Sequence, residues 1–346
     1  MTGTKEHILV IRLSAMGDCA LAVPVLLALK KQYPEVKLTV LTKPFFAPIF
    51  EGLPGVEVKD VDTKEEYKGL WGVLRLGIQL RKKSFTKVAD LHDVLRSKIW
   101  RTLLRFANVP SAHIDKGRKQ KKALTRPENK VFKPLLSTPE RYADVFRQLG
   151  YSVDLAGGAF LPARDLGAIK DVLKVDWSKP LVGVAPFAAH AVKAYPLDLM
   201  EEVLIRFNAE GYQVLLFGGG PKEEPQLKAL EERYERATSI AGKLTFEQEL
   251  ALISHLDVML SMDSGNGHLA AMFGRPVVTL WGATHPYAGF APFGQPSAYQ
   301  LLPDLKQFPL LPTSVFGNKT VPGYQDVMRT IAPERVMDTV QGILRA

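Results

Sequence analysis

The 346-residue chain has one cysteine, Cys19, which excludes a disulfide framework and a multi-cysteine zinc site. It has no long apolar run. The longest, Ala20–Leu29, is ten residues and contains Pro24, about half of what crosses a bilayer. The N-terminal MTGTKEHILVIRL holds only Ile8–Ile11 between His7 and Arg12, so it is no secretory signal. A cytoplasmic protein is expected. The first strand-end loop lacks GxGxxG, because Gly17 is its only glycine. Acidic residues are in deficit, 36 against 45 basic, for a net charge of +9. With 46% apolar and 23% charged residues, disordered, collagen-like and coiled-coil chains are excluded.

The excess charge is concentrated. Between Lys116 and Lys133 stand eight Lys or Arg against Glu128, a net +7 in 18 residues, and the rest sums to near neutrality. Such a run suits phosphate, nucleic acid or an anionic membrane, or is a solvated mobile loop. Its only aromatic is Phe132 and it fits no nucleic-acid-binding motif.

Short β-branched runs alternate with helical patterns twice along the chain. Strands are expected at His7–Leu13, Val36–Thr42, Val56–Val61 and Lys87–Leu91. Helices are expected at Ala20–Tyr33, Leu70–Lys83, Leu95–Phe106 and Thr138–Leu149. Gly and Pro in Val153–Arg164 mark a linker. A second series follows, with strands at Leu181–Pro186, Tyr212–Phe217, Asp257–Met262 and Pro276–Trp281. Its helices fall at Leu197–Glu210, Glu223–Arg236, Phe246–His255 and Asn266–Phe273. Thr245 and Gln248 form a capping-box signature, and Pro333–Leu344 closes the chain. Near-continuous apolar strands between helices belong to parallel sheets covered on both faces. The fold class is therefore α/β, two doubly wound domains, with ligands outside the carboxyl ends of the strands.

Four strand-end loops carry candidate chemistry. Asp18, in Ser14–Cys19, is either an N-cap or a cleft-facing general base. After the strand ending at Met262 come Asp263, Ser264, Gly265, Gly267 and His268, where a capped helix start with small residues makes an anion site. Gly282 and Thr284 follow the next strand, and Gly218, Glu223 and Glu224 lie in a glycine-rich loop that also suits an ordinary turn. Lys193 at a helix entrance is either solvated or able to neutralise a phosphate. His92, Asp93 and Arg96 follow Leu91; Arg96 is either helix surface or an acceptor contact.

The motifs IRLSAMGD (Ile11–Asp18), KAYP (Lys193–Pro196), MDSGNGHLAAMFG (Met262–Gly274) and LWGATHP (Leu280–Pro286) are anchors in their order and spacing. With them, nearly the whole chain resembles glycosyltransferase family 9, the ADP-heptose:lipopolysaccharide heptosyltransferases. The resemblance implies a GT-B architecture of two facing Rossmann-like domains. It implies an acceptor-binding domain over residues 1–160, a nucleotide-sugar domain over 161–325, and a final helix over 326–346 returning to the first domain. Asp18 matches the family's catalytic base and Lys193 the lysine at the donor diphosphate. Asp263, Gly265 and His268 match the donor pattern Asp-x-Gly-x-x-His, with Ser264 and Gly267 between them. Glu223 or Glu224, with Gly218, falls where the donor ribose is held, and Gly282 and Thr284 near the diphosphate and sugar. On this reading Met16, Gly17, Arg96, Lys119, Lys121 and Lys122 are expected acceptor contacts, the lysines as a basic flap that grips acceptor phosphates or the membrane surface.

The chain departs from the family in Ala188-Ala189, where hydroxyl residues are common, and in Tyr195, where tryptophan is usual. The expected activity is inverting, metal-independent transfer needing no cofactor. Its partners would be ADP-heptose and a phosphorylated lipid A-core acceptor at the inner membrane surface, with no nucleic acid. Two other readings are a GT-B-like sugar-nucleotide epimerase, which would share the donor motifs, and a nucleic-acid-binding protein built on the basic segment.

Overall fold

A computed structural model describes residues 6–346; the first five residues of the N-terminal stretch lie outside it. The chain opens β1 (His7–Ile11), α1 (Met16–Ala20), α2 (Val23–Gln32), β2 (Lys37–Thr42), α3 (Ala47–Phe50), β3 (Val56–Asp60), α4 (Gly69–Arg81), β4 (Lys87–Asp90), α5 (Leu95–Arg105) and β5 (Ser111–His113). Next come α6 (Arg118–Thr125), α7 (Thr138–Gln148), α8 (Ile169–Val172), β6 (Leu181–Ala185), α9 (Leu197–Ala209), β7 (Gln213–Leu216), α10 (Glu224–Arg233) and β8 (Ala237–Ser239). It ends α11 (Phe246–Ile253), β9 (Val258–Met262), α12 (Gly265–Met272), β10 (Val277–Leu280), β11 (Gln300–Leu301) and α13 (Pro333–Leu344). No described helix is long and apolar enough to cross a membrane.

Contacts divide the chain into two compact units, one running to Lys116 and adding Thr138–Leu161, the other holding Gly117–Ser137 and Pro162–Ala346. The first has a parallel sheet ordered β3-β2-β1-β4-β5, and the second one ordered β11-β10-β9-β6-β7-β8. In each the strand order reverses once, between β1 and β4 and between β6 and β9. These are the switch points where a doubly wound sheet opens a crevice.

Burial explains both sheets. In β1, Ile8, Leu9, Val10 and Ile11 are all buried, as a strand covered on both faces requires. Trp100 of α5 is fully buried and its indole N–H donates to the Val73 carbonyl at 2.9 Å. In the second unit, Val182, Val184, Leu216, Leu260 and Leu280 join Phe207 of α9 in one core. The capping box at α11 forms, with the Gln248 N–H donating to Thr245 Oγ1 at 3.3 Å and the Thr245 N–H to Gln248 Oε1 at 2.9 Å.

Three expectations are corrected. The helix expected over Ala20–Tyr33 starts at Val23, with Pro24 in its first turn where a missing N–H is tolerated, and a separate short helix, α1, occupies the loop expected before it. The final helix is expected on the first domain; Val336, Met337 and Val340 instead belong to the second unit's core, with the Arg206–Glu334 ion pair tying α13 to α9. The basic segment is expected in the acceptor domain, yet it groups with the second unit. There Leu135 N–H donates to the Tyr287 carbonyl at 2.9 Å, and Lys130 Nζ donates to the Leu310 and Pro312 carbonyls at 2.5 and 2.8 Å.

Candidate active site

At the switch point of the first unit, β1 runs into Arg12-Leu13-Ser14-Ala15 and then α1. Arg12 is buried, and one terminal nitrogen donates to the Leu91 carbonyl at the end of β4, 2.7 Å away. Its other terminal nitrogen pairs with Asp18. The Asp18 side chain is 30% exposed, so its carboxylate is held from below and open to solvent. Tyr142, fully buried on α7, has its ring 5.7 Å from the Arg12 guanidinium carbon and donates to the Asp18 carbonyl at 3.3 Å. Leu13 N–H donates to His92 Nδ1 at 3.3 Å, so that nitrogen carries no proton. Burial, reinforced by Arg12, Lys116 and Lys43, lowers the His92 pKa to about 3. Behind it, Asp90 accepts from the His92 and Asp93 N–H groups and pairs with Arg101 at 3.0 Å.

In the second unit the switch point is bridged by an ion pair. Lys193 Nζ, in the loop after β6, lies 2.9 Å from Asp263 Oδ2 at the end of β9. The Thr284 hydroxyl, after β10, donates to the same oxygen at 2.8 Å. Residues from three strand ends thus share one carboxylate, and both partners of the ion pair are mostly buried, at 15% and 9% side-chain exposure. Glycine permits the approach of the loops. A Cβ on Gly282 would sit 2.2 Å from the Val192 carbonyl oxygen, and Ala283 N–H donates to that same carbonyl at 3.0 Å. A Cβ on Gly317 would meet Lys193 Cδ at 2.2 Å, so the chain after Pro312 packs over the lysine stem.

Gly265 opens α12, preceded by Ser264 with extended backbone. The Ser264 hydroxyl makes no capping bond and has no hydrogen-bond partner among the described residues. The first N–H groups of a helix have no intrahelical acceptor, which leaves this end suited to an anion. Gly267 is a packing position, where a Cβ would meet Ser261 Oγ at 2.5 Å. His268 is 8% exposed within the same helix. The Glu223 and Glu224 carboxylates accept from the Gly219 and Gly220 N–H groups at 3.1 and 2.9 Å, so both help fold the glycine-rich loop. Gly218 has no room for a side chain beside Glu223 and Leu227.

Met16 and Gly17 form the start of α1, and Arg96 the first turn of α5. Lys119 and Lys122 are exposed on α6, whereas Lys121 is buried with its ammonium 3.8 Å from the Phe290 ring centroid. Phe132 packs on His285 and Tyr287, with ring centroids 5.1 and 5.0 Å apart. Burial, with the Lys130 charge, lowers the His285 pKa to about 4. Tyr195 is core: its hydroxyl donates to the Ile331 carbonyl at 2.6 Å. Among the described residues, no three His, Cys, Asp or Glu cluster to hold a metal.

Arg12 and Tyr142 are not among the candidate residues that the sequence motifs single out. The signal for Arg12 was a cation directly continuing an apolar strand; for Tyr142 it was a helix position on the apolar face of α7.

Residues 73–301 match the model of glycosyltransferase family 9 (heptosyltransferase). Lipopolysaccharide heptosyltransferase 2 of Salmonella typhimurium is 26% identical, over 97% of this chain and 98% of that protein. A glycosyl transferase family 9 crystal structure from Veillonella parvula superposes with a TM-score of 0.75 at 19% identity, covering 100% of this chain and 99% of that one. E. coli heptosyltransferase WaaC with ADP-2-deoxy-2-fluoro heptose gives 0.67 at 19% identity, covering 97% and 99%. These likenesses show an α/β fold of the GT-B class, and the family match covers well over half the chain: it belongs to glycosyltransferase family 9, the heptosyltransferases.

Proposed function

We propose that the chain transfers a heptose from ADP-heptose to a phosphorylated lipid A-core acceptor, with inversion at the anomeric carbon and without a metal ion. The observation that carries this reading is the Lys193–Asp263–Thr284 cluster at the switch point. An ammonium has three donors, so Lys193 can keep Asp263 and still grip a diphosphate oxygen. The start of α12 at Ser264 and Gly265 adds the positive end of a helix dipole. Both charges are in place before reaction, which is how a departing diphosphate is stabilised electrostatically. The donor belongs to residues 161–325, with Gly282, His268 and the Gly218–Glu224 loop shaping its surroundings.

Asp18 takes the proton of the acceptor hydroxyl. That oxygen bonds to the anomeric carbon as the bond to the diphosphate breaks, and ADP leaves with the electron pair. Arg12 orients the carboxylate from beneath, and Met16, Gly17 and Arg96 surround the acceptor. Exposed Lys119 and Lys122 meet acceptor phosphates, while Lys121 anchors their helix. The setting is the cytoplasmic face of the inner membrane.

The test is Asp18→Asn, which keeps the shape and removes the base. With ADP-heptose and purified acceptor, kcat is expected to fall by roughly 10²–10⁴, with the donor KM little changed. Transfer at the wild-type rate would overturn the role of Asp18. Chelation with EDTA is expected to leave transfer unchanged, and ADP-heptose alone is expected to return unepimerised.

A further inference from the structure

The near-neutral remainder of the chain conceals a second basic region. Between residues 68 and 106 stand ten Lys or Arg against two Asp and no Glu. Both acids, Asp90 and Asp93, are buried and paired with Arg101. The region is α4, β4 and α5, all in the first unit.

The outer surface of these helices is apolar as well as basic. On α4, Val73, Leu76 and Leu80 face the core. Leu70, Trp71, Leu74 and Ile78 fall within about 100° of arc on the opposite side, at 100° per residue. Leu70, Trp71 and Ile78 are 63%, 84% and 52% exposed. On α5 the exposed apolar residues are Leu95 and, at its end, Phe106, both 76% exposed. The two helices lie side by side, since a Cβ on Gly77 would come within 2.3 Å of Leu103 Cδ1. Single exposed apolar residues are ordinary, but five on or at the end of two adjoining helices are more than scattered exposure.

We infer that the outer face of α4 and α5 docks on an anionic lipid bilayer. Charge complementarity selects this occupant. Arg81, Lys82 and Lys83 are exposed at the end of α4, and Lys98 and Arg105 line the flank of α5. On that flank Lys98, Arg101, Arg105 and Asp93 line a cavity of about 370 Å³, whose wall stays net basic with Lys98 and Arg101 paired to Asp93. An apolar stripe carrying tryptophan between cations is the pattern of a helix lying in a membrane interface. The inference adds to the proposed transferase a means of reaching a lipid acceptor, and it is read without donor or acceptor, so either can fail alone.

The experiment is sedimentation of the full chain with vesicles of phosphatidylglycerol and phosphatidylethanolamine in equal parts, against phosphatidylcholine vesicles. Binding to the anionic vesicles alone, weakened by salt, is expected. W71E/I78E, both at exposed positions, is expected to weaken it at least tenfold, by roughly the loss of apolar insertion. Arg81→Gln, Lys82→Gln and Lys83→Gln together are expected to weaken it by about fivefold per charge, with an unchanged thermal midpoint. Wild-type binding in both variants, or no binding by the parent, would overturn the inference. So would a dimer in sedimentation velocity that W71E/I78E dissolves, since a second copy would then be the occupant.

Discussion

Arg12 lies buried beneath Asp18 and pairs with its carboxylate, while donating to the Leu91 carbonyl from its other terminal nitrogen. The forked guanidinium thereby ties the loop after β1 to the end of β4 and points Asp18 outward. A lysine ammonium is a single point of charge and does not reproduce the planar fork that spans the two acceptors. Arg12→Lys is expected to lower kcat by about 10–100-fold through misplacement of the base, and to cost roughly 2 kcal/mol of stability. A kcat within twofold of wild type, measured with saturating donor and acceptor, would contradict this positioning role.

Lys193 is held by Asp263 and by the packing of Gly317 over its stem. Lys193→Met preserves the stem and removes the charge. ADP affinity by calorimetry is expected to fall by about 10-fold or more, and kcat by roughly 10²–10³. An unchanged ADP dissociation constant would place the diphosphate elsewhere.

Two histidines make the fold acid-sensitive. Burial lowers His92 to about 3 and His285 to about 4, from an ordinary 6.5. Each is neutral when folded and protonates more readily when unfolded. The unfolded chain therefore binds more protons between about pH 6.5 and 4, and stability falls as pH falls through that window. Leu13 N–H donates to His92 Nδ1 and Tyr287 N–H to His285 Nδ1, at 3.3 and 3.1 Å, and in His92→Asn/His285→Asn an amide oxygen offers each an acceptor. Urea midpoints at about pH 7 and 5 should differ less in this variant than in the parent. An equal pH dependence in both would refute the assignment.

The Gly282 site has no space for a methyl group, because the neighbouring atom is the Val192 backbone oxygen. Gly282→Ala must displace the loop that carries Lys193, at about 1–3 kcal/mol. Thermal unfolding is expected to drop accordingly and ADP binding to weaken with it. Full stability with intact ADP binding would show that the loops are not locked together.

The long strands were readable because burial on both faces leaves unbroken apolar runs such as Ile8–Ile11. The short β5, β8 and β11 were not, since two or three residues pairing at or near a sheet edge carry no periodic signal. At the site, Asp263, Lys193 and Thr284 were all named from strand-end loops, which a doubly wound sheet brings to one side. Arg12 was hidden because the burial of a cation depends on partners as distant as Leu91. The basic segment misled for a related reason. Its charges mark it as solvated, while the contacts that place it run through Phe132, Lys130 and Leu135 to residues about 150–180 positions away. The final helix is amphipathic wherever it docks, so its pattern gave no partner.

The activity we propose is transfer of heptose from ADP-heptose to a lipid A-core acceptor. Its most direct measurement is ADP release by the purified chain, followed with ADP-heptose alone and with acceptor added. The expected result is ADP formed in proportion to heptosylated acceptor, with the anomeric configuration inverted and little ADP without acceptor. ADP release indifferent to the acceptor, or a product of retained configuration, would contradict the account.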